Sequence, residues 1–119
     1  MAYDEGLAQR IRECLQQRRG ITEKRMFGGL AFMANGHMFV GVTGESLMAR
    51  VGAGAYRSAL KNRHVREMDF TGKPMAGYVY VDAPALMSER ELLRWLEACL
   101  AFVSTLPPKT LKPRSAGKP

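Results

Sequence analysis

Two segments of the chain, one near each end, repeat their apolar residues every three or four positions, as amphipathic helices do. The first predicted helix runs from Asp4 to Arg19. The second runs from Glu89 to Leu106, where Pro107-Pro108 end it because proline supplies no backbone donor and disfavours a helical predecessor. Ser88 and Glu91 match a capping box at its start. The apolar stripe of this second helix consists of Leu92, Leu93, Leu96, Cys99, Leu100 and Val103.

Between these helices the pattern changes to the alternation and β-branched content of strands. Asn35-Gly36 separates two apolar runs, and both residues tolerate the positive φ of a type I′ turn, so this pair predicts a β-hairpin. Gly28-Gly29 predicts an earlier turn or bulge. A short helix is expected over Ala55–Lys61 and a loop over 68–76. The strands are predicted over 22–27, 30–34, 37–42, 47–51 and 78–81.

The elements follow one another in the order α-β-β-β-β-α-β-α. This order predicts an α+β fold in which helices flank one antiparallel sheet of about five strands. The length of 119 residues suits one domain, which we place at residues 1–106. Residues 107–119 hold four prolines, four basic residues and almost no bulky apolar side chain, so we expect them to form a disordered tail.

The net charge of +7 raises the question of nucleic-acid binding. Four cations lie in the tail, and the remaining +3 is ordinary for a folded domain. Those four could displace counterions from nucleic acid, which predicts weak, sequence-independent binding with a salt slope of at most about 3 to 4. A solubilising terminus is the alternative interpretation. The tail cations are Lys109, Lys112, Arg114 and Lys118.

Two features of the sequence bear on location. No apolar run approaches the roughly 18 to 20 residues that a membrane-spanning helix needs. The first residues, from Met1 to Glu5, lack the basic and apolar regions of a secretory signal. We therefore expect a cytoplasmic protein with no membrane partner.

The sequence contains no recognisable motif for catalysis, for a cofactor or for a metal. His37 follows the predicted hairpin turn and His64 lies in a basic run, and neither belongs to a known catalytic pattern. The glycines form neither GxGxxG nor GxxxxGK[ST], and the acidic residues lack DxD or ExxH spacing. We predict no catalytic residue, no cofactor and no metal site.

Cys14 and Cys99 lie far apart on the two predicted long helices, without CxxC spacing or a nearby histidine. This placement favours buried free thiols. The alternative is a small enzyme with an unrecognised site, such as Cys14 working with a histidine. That alternative needs an exposed thiol whose pKa is lowered.

The predicted central strand has two apolar faces. Met38, Val40 and Val42 alternate there with Phe39 and Gly41. Two helices can leave one sheet face uncovered, so we expect a partner on a sheet face or edge, most economically a second copy of the chain.

Several segments resemble the N-terminal domain of the TfoX/Sxy competence-regulator family. The first runs from Thr22 to Met33 and continues with Asn35-Gly36-His37-Met38. Leu47–Gly52 is similar to the next strand of that family, and Met68–Met75 with Gly77–Val81 is similar to its second signature. Together these matches extend over most of the chain from Tyr3 to Pro108.

The resemblance implies a helix-flanked antiparallel sheet similar to secretion chaperones. It also implies a regulatory rather than a catalytic role. Full-length members help to activate competence genes alongside a cyclic-AMP receptor transcription factor, and they carry a second, helical C-terminal domain. We expect this chain to be a standalone module of the N-terminal type.

The resemblance also leads to an expected interaction surface and an unidentified protein partner. The alternative is purely structural, with Phe27 in the core and the glycines in a bulge. The residues of this expected surface are Lys24, Arg25, Met26, Phe27, Gly28 and Gly29.

Overall fold

The computed structural model describes residues 3–26, 28–68 and 76–107. The helices are α1 (Glu5–Leu15), α2 (Ala53–Leu60) and α3 (Glu89–Val103), and a short 3₁₀ helix spans Ala83–Leu86. The strands are β1 (Ile21–Met26), β2 (Gly29–Ala34), β3 (His37–Thr43), β4 (Ser46–Arg50), β5 (Val65–Glu67) and β6 (Tyr78–Val81).

The six strands form one antiparallel sheet in the order β1-β2-β3-β4-β6-β5. This arrangement confirms the predicted α+β fold with its helix-flanked sheet. One strand was not predicted: β5 has only three residues, pairs with β6 and lies at the edge of the sheet that the described residues form.

The turn between β2 and β3 confirms the predicted hairpin. Asn35 has a φ of 53° and Gly36 a φ of 84°, so both adopt the left-handed conformation that a type I′ turn requires. A bulge farther along the pair shifts the register, so that Val40 lies opposite Phe32 and Met38 lies opposite Met33.

The helices pack on one face of the sheet. Buried side chains of α1 and α3 form a single core with those of β2, β3, β4 and β6. Ala31, Met48 and Met68 are also buried but lie outside this core. Gly41 on β3 is buried as well. The apolar residues of the central strand, which led us to expect a second copy, are thus largely buried within one chain. Self-association stays a prediction, but these residues no longer support it.

The two long helices begin where expected and end earlier. The Asp4 carboxylate accepts the backbone N–H groups of Gly6 and Leu7, at 2.8 and 3.3 Å, and so caps α1. This helix ends at Leu15 because residues 16–19 are all exposed and bury nothing. The Ser88 hydroxyl accepts the Glu91 N–H at 3.0 Å and caps α3.

The C-terminal end of α3 lies at Val103, three residues before the predicted end. The Ser104 and Thr105 hydroxyls donate to carbonyl oxygens three residues earlier, at 2.8 and 2.6 Å, which favours a turn over a further helical turn. Within the described residues, no helix is long and apolar enough to cross a membrane.

Candidate functional site

An open groove of about 1050 Å³ lies between α2 and α3. It forms because α2 packs against β5 and β6, whereas α3 packs against β3 and β4, so the two helices lie over different strands. Its base contains Val51 and Ala59, which are buried, and its sides contain Ala55 and Ala98. Small side chains at these positions leave the space between the helices unfilled.

Three arginines line the groove. Arg90 and Arg94 lie one turn apart on α3, away from its buried stripe, and Arg63 follows the end of α2. The four ion pairs among the described residues involve Arg10, Arg12, Arg18 and Arg66. Within that part of the chain, the three groove arginines therefore have no carboxylate partner.

The two carboxylates that also line the groove are already engaged. Glu97 forms an ion pair with Arg18, which joins α3 to the chain beyond α1. Glu91 takes part in the cap of α3, where its carboxylate accepts the Ser88 hydroxyl at 3.3 Å. The groove consequently presents more positive than negative charge to an approaching ligand.

The groove also presents apolar side chains. Trp95, the only tryptophan in the sequence, is half-buried in its wall. Leu93 lines it as well and is 39% exposed, although its position in the apolar stripe predicted burial. The other large apolar side chain that is exposed within the described residues is Met87, just before the cap of α3.

A turn at one end of the groove carries Arg63 and His64. His64 has a φ of 65°, and its carbonyl oxygen accepts the Asp82 N–H at 2.8 Å. The Asp82 carboxylate in turn accepts the Ser46 hydroxyl at 2.7 Å and the Arg66 guanidinium at 2.7 and 2.8 Å. Hydrogen bonds from Arg66 and Ser46 outweigh partial burial and lower the pKa of Asp82 to about 2.

The segment expected as an interaction surface lies at the opposite edge of the sheet. Lys24 and Arg25 are exposed on β1, but they are adjacent residues of a strand and so point to opposite faces. Gly28 has a φ of 71° in the turn after β1, and Gly29 is buried at the start of β2. Phe27 lies outside the described residues.

The four tail cations also lie outside the described residues. Just before these cations, Pro107 contacts the sheet: the His37 Nε2–H donates to its carbonyl oxygen at 2.7 Å. His37 thus has a structural contact at the start of β3. His64 is exposed in the turn after α2.

Neither cysteine has the environment of an activated nucleophile. The Cys14 thiol donates to the Glu89 carboxylate at 3.4 Å, and burial together with this carboxylate raises its pKa to about 11. Burial raises the pKa of the Cys99 thiol to about 12. In the described part of the chain, no group of three histidine, cysteine or acidic residues is placed to hold a metal ion.

The model of the TfoX N-terminal domain family matches residues 13–103, which is most of the chain. The chain belongs to the TfoX N-terminal domain family. This membership confirms the resemblance found in the sequence. Neither the curated proteins nor the solved structures include a significant match to the chain.

The family match includes α2, α3 and all the residues that line the groove. The sequence analysis did not predict this groove. The sequence of α3 does contain a signal for the groove. Arg90 and Arg94 have a spacing of four residues, and Leu93 and the only tryptophan lie beside them, on a helix whose other face is fully apolar. No comparable signal exists in α2, where alanines matter only because of the helix that lies opposite.

Proposed function

We propose that this member of the TfoX N-terminal domain family is a non-catalytic regulatory module that acts by binding another protein. The observation that carries the proposal is the α2–α3 groove, which combines arginines without carboxylate partners, a half-buried tryptophan and an exposed leucine. Tryptophan and arginine are enriched at the centres of protein interfaces. Family membership supports the same interpretation.

The β1–β2 hairpin provides a second surface for such a module. Thr22, Glu23, Lys24 and Arg25 are all exposed along β1, which is an edge strand among the described residues, and edge strands can accept an added strand. The charged side chains of this surface are divided between two faces of the strand, whereas the groove brings its arginines and apolar side chains together. We therefore rank the hairpin second.

A role in competence or in transcriptional regulation is the narrower form of the proposal, and it rests on the family alone. A cytoplasmic location accompanies it. The rival proposal of an enzyme using Cys14 loses support from the raised pKa of that thiol, because the thiolate is the nucleophile.

The experiment that tests the proposal is affinity capture from a native cytoplasmic extract with the full chain as bait. A protein retained by the wild type should be lost with Ala98→Phe, which fills the groove without changing charge, and kept with Lys24→Gln/Arg25→Gln. If the protein is instead kept with Ala98→Phe and lost with Lys24→Gln/Arg25→Gln, the interaction surface is the β1–β2 hairpin. If the wild type retains nothing above an unrelated basic protein of equal size, the proposal of a protein-binding module is wrong.

A further inference from the structure

We infer that the α2–α3 groove binds an acidic segment of another protein, in which carboxylates are interspersed with apolar side chains at helical spacing. This inference rests on the proposed function and names the chemistry of the partner. It follows from the juxtaposition of a rim of arginines with an apolar interior on one concave surface.

The rim favours carboxylates. Arg63, Arg90 and Arg94 have no acidic partner within the described residues, and the acidic lining residues Glu91 and Glu97 are engaged elsewhere. A guanidinium binds a carboxylate through two parallel N–H···O hydrogen bonds. Side chains one helical turn apart are separated by roughly 6 Å at their Cβ atoms, which is also the spacing of carboxylates one turn apart on a partner helix.

The interior favours apolar side chains between those carboxylates. Trp95 and Leu93 are partly exposed, and Ala55 and Ala98 leave depth beside them. Small-molecule pockets usually enclose roughly 300 to 1000 Å³. The groove, at about 1050 Å³ and open to solvent, is at the upper end of that range and can accommodate a short length of polypeptide.

Other occupants fit less well. The chain's own tail carries Lys109, Lys112, Arg114 and Lys118 with no acidic residue, so the arginine rim repels it. A second copy has the same net charge of +7. Phosphates of a nucleic acid would also be attracted to the arginines, but a nucleic acid carries no aliphatic side chains to fill the apolar interior beside Leu93, Ala55 and Ala98.

Trp95 allows a direct test, because it is the only tryptophan and lies in the groove. A synthetic 12-residue peptide with leucines at helical spacing and glutamates elsewhere is titrated into the full chain while tryptophan emission is followed. We expect saturable binding that weakens with added salt. The same peptide with lysine in place of glutamate should not bind.

Charge-matched variants separate the groove from the general charge of the protein. Arg90→Gln/Arg94→Gln should weaken binding about tenfold, since each exposed ion pair contributes severalfold. Arg19→Gln/Arg57→Gln removes the same charge from exposed residues outside the groove and should leave binding unchanged. Equal weakening by the two double variants would overturn the inference.

Three further outcomes would also overturn it. Tighter binding of a single-stranded oligothymidylate that displaces the peptide would make the groove a nucleic-acid site. A dimeric mass by light scattering that Ala98→Phe converts to a monomer would make a second copy the occupant. If capture of a native partner depends on Ala98 while no acidic peptide binds, the proposed function stands and the partner chemistry named here is wrong.

Discussion

Gly29, at the start of β2, leaves no room for a side chain beside the neighbouring strand β3. A Cβ atom at this position would lie 2.1 Å from the carbonyl oxygen of Val42, a backbone atom that cannot rotate away. We expect Gly29→Ala to lower the free energy of unfolding by about 2 kcal/mol, because the added methyl group overpacks the sheet. Urea denaturation at neutral pH measures this change.

Gly54 provides the matched control for that substitution. It lies within α2, and a Cβ atom there would have no neighbour within 4 Å. Gly54→Ala should raise the free energy of unfolding by about 0.5 to 1 kcal/mol, since alanine loses less conformational entropy in a helix. The same sign of change for both variants would contradict the steric account of Gly29.

The reactivity of Cys14 depends on two neighbours that act in opposite directions. Burial and the Glu89 carboxylate raise the pKa of the thiol to about 11, whereas the Arg10 guanidinium lowers it. Glu89→Gln should therefore lower the pKa of Cys14 and speed alkylation by iodoacetamide at pH 8 to 9 roughly threefold or more. Arg10→Gln should slow it.

Mass spectrometry of the alkylated protein follows the two thiols separately. Cys99, which is buried and has a pKa of about 12, should react far more slowly and serves as an internal reference for folding. If the rate at Cys14 does not respond to either substitution, its raised pKa does not originate from these neighbours. A rapid reaction at pH 7 in the wild type would revive the enzyme alternative.

At the scale of the elements, Asp82 joins three strands near the groove. Its carboxylate bonds to Ser46 on β4 and to Arg66 on β5, and it follows the end of β6. The pKa of Asp82 is lowered to about 2 in the folded chain, against 3.8 ordinarily. The stability from this ionised carboxylate is therefore present above about pH 4 and is lost as the pH falls toward 2.

Asp82→Asn tests this contribution. Because Arg66 is about half exposed, we expect a loss of only about 1 kcal/mol in the free energy of unfolding at pH 7. The variant should also lose less stability than the wild type between pH 4 and pH 2. Denaturation curves at several pH values measure both effects, and parallel pH dependences would contradict the assignment to Asp82.

The elements that the sequence predicted are those whose signals are local. The type I′ turn depends on Asn35-Gly36 alone, and the start of α3 depends on Ser88 and Glu91. Strand β5 was missed because three residues are too few to display alternation, and its position depends on pairing with β6. The prediction that Leu93 is buried was wrong, because the apolar stripe of α3 is wider than the surface that this helix buries.

The groove could not be predicted from the sequence, because it too depends on contacts between elements. Its residues come from the position after β4, from α2 and the turn that follows it, from the 3₁₀ helix and from α3, which are separated along the chain. The space between them depends on which strands each helix packs against. The periodicity of one element does not indicate which strands a helix packs against. The only sequence signal for the groove is the arginine and tryptophan content of α3.

At the scale of the whole molecule, the tail cations make a separate prediction. Binding of the full chain to duplex DNA should be weak, with log K falling against log salt with a slope of at most about 3 to 4. Glutamine at all four positions should bring the slope close to zero. The positions are Lys109, Lys112, Arg114 and Lys118.

A control with the same net charge removes four exposed cations elsewhere, and it should keep most of the salt dependence. A filter-binding or anisotropy assay at several salt concentrations gives both slopes. If the salt slope decreases equally in the two quadruple variants, the tail has no special role in binding DNA. The control positions are Arg19, Arg25, Arg57 and Lys61, all exposed.

The order of the strands places β1 and β5 at opposite edges of the sheet, five inter-strand spacings or about 24 Å apart. The groove lies toward the β5 edge, where α2 packs, and the β1–β2 hairpin lies at the other. Ligands at these two places would not touch, so their binding free energies should add. On the proposed function, the width of the sheet itself keeps a segment bound in the groove apart from a strand added at the β1 edge.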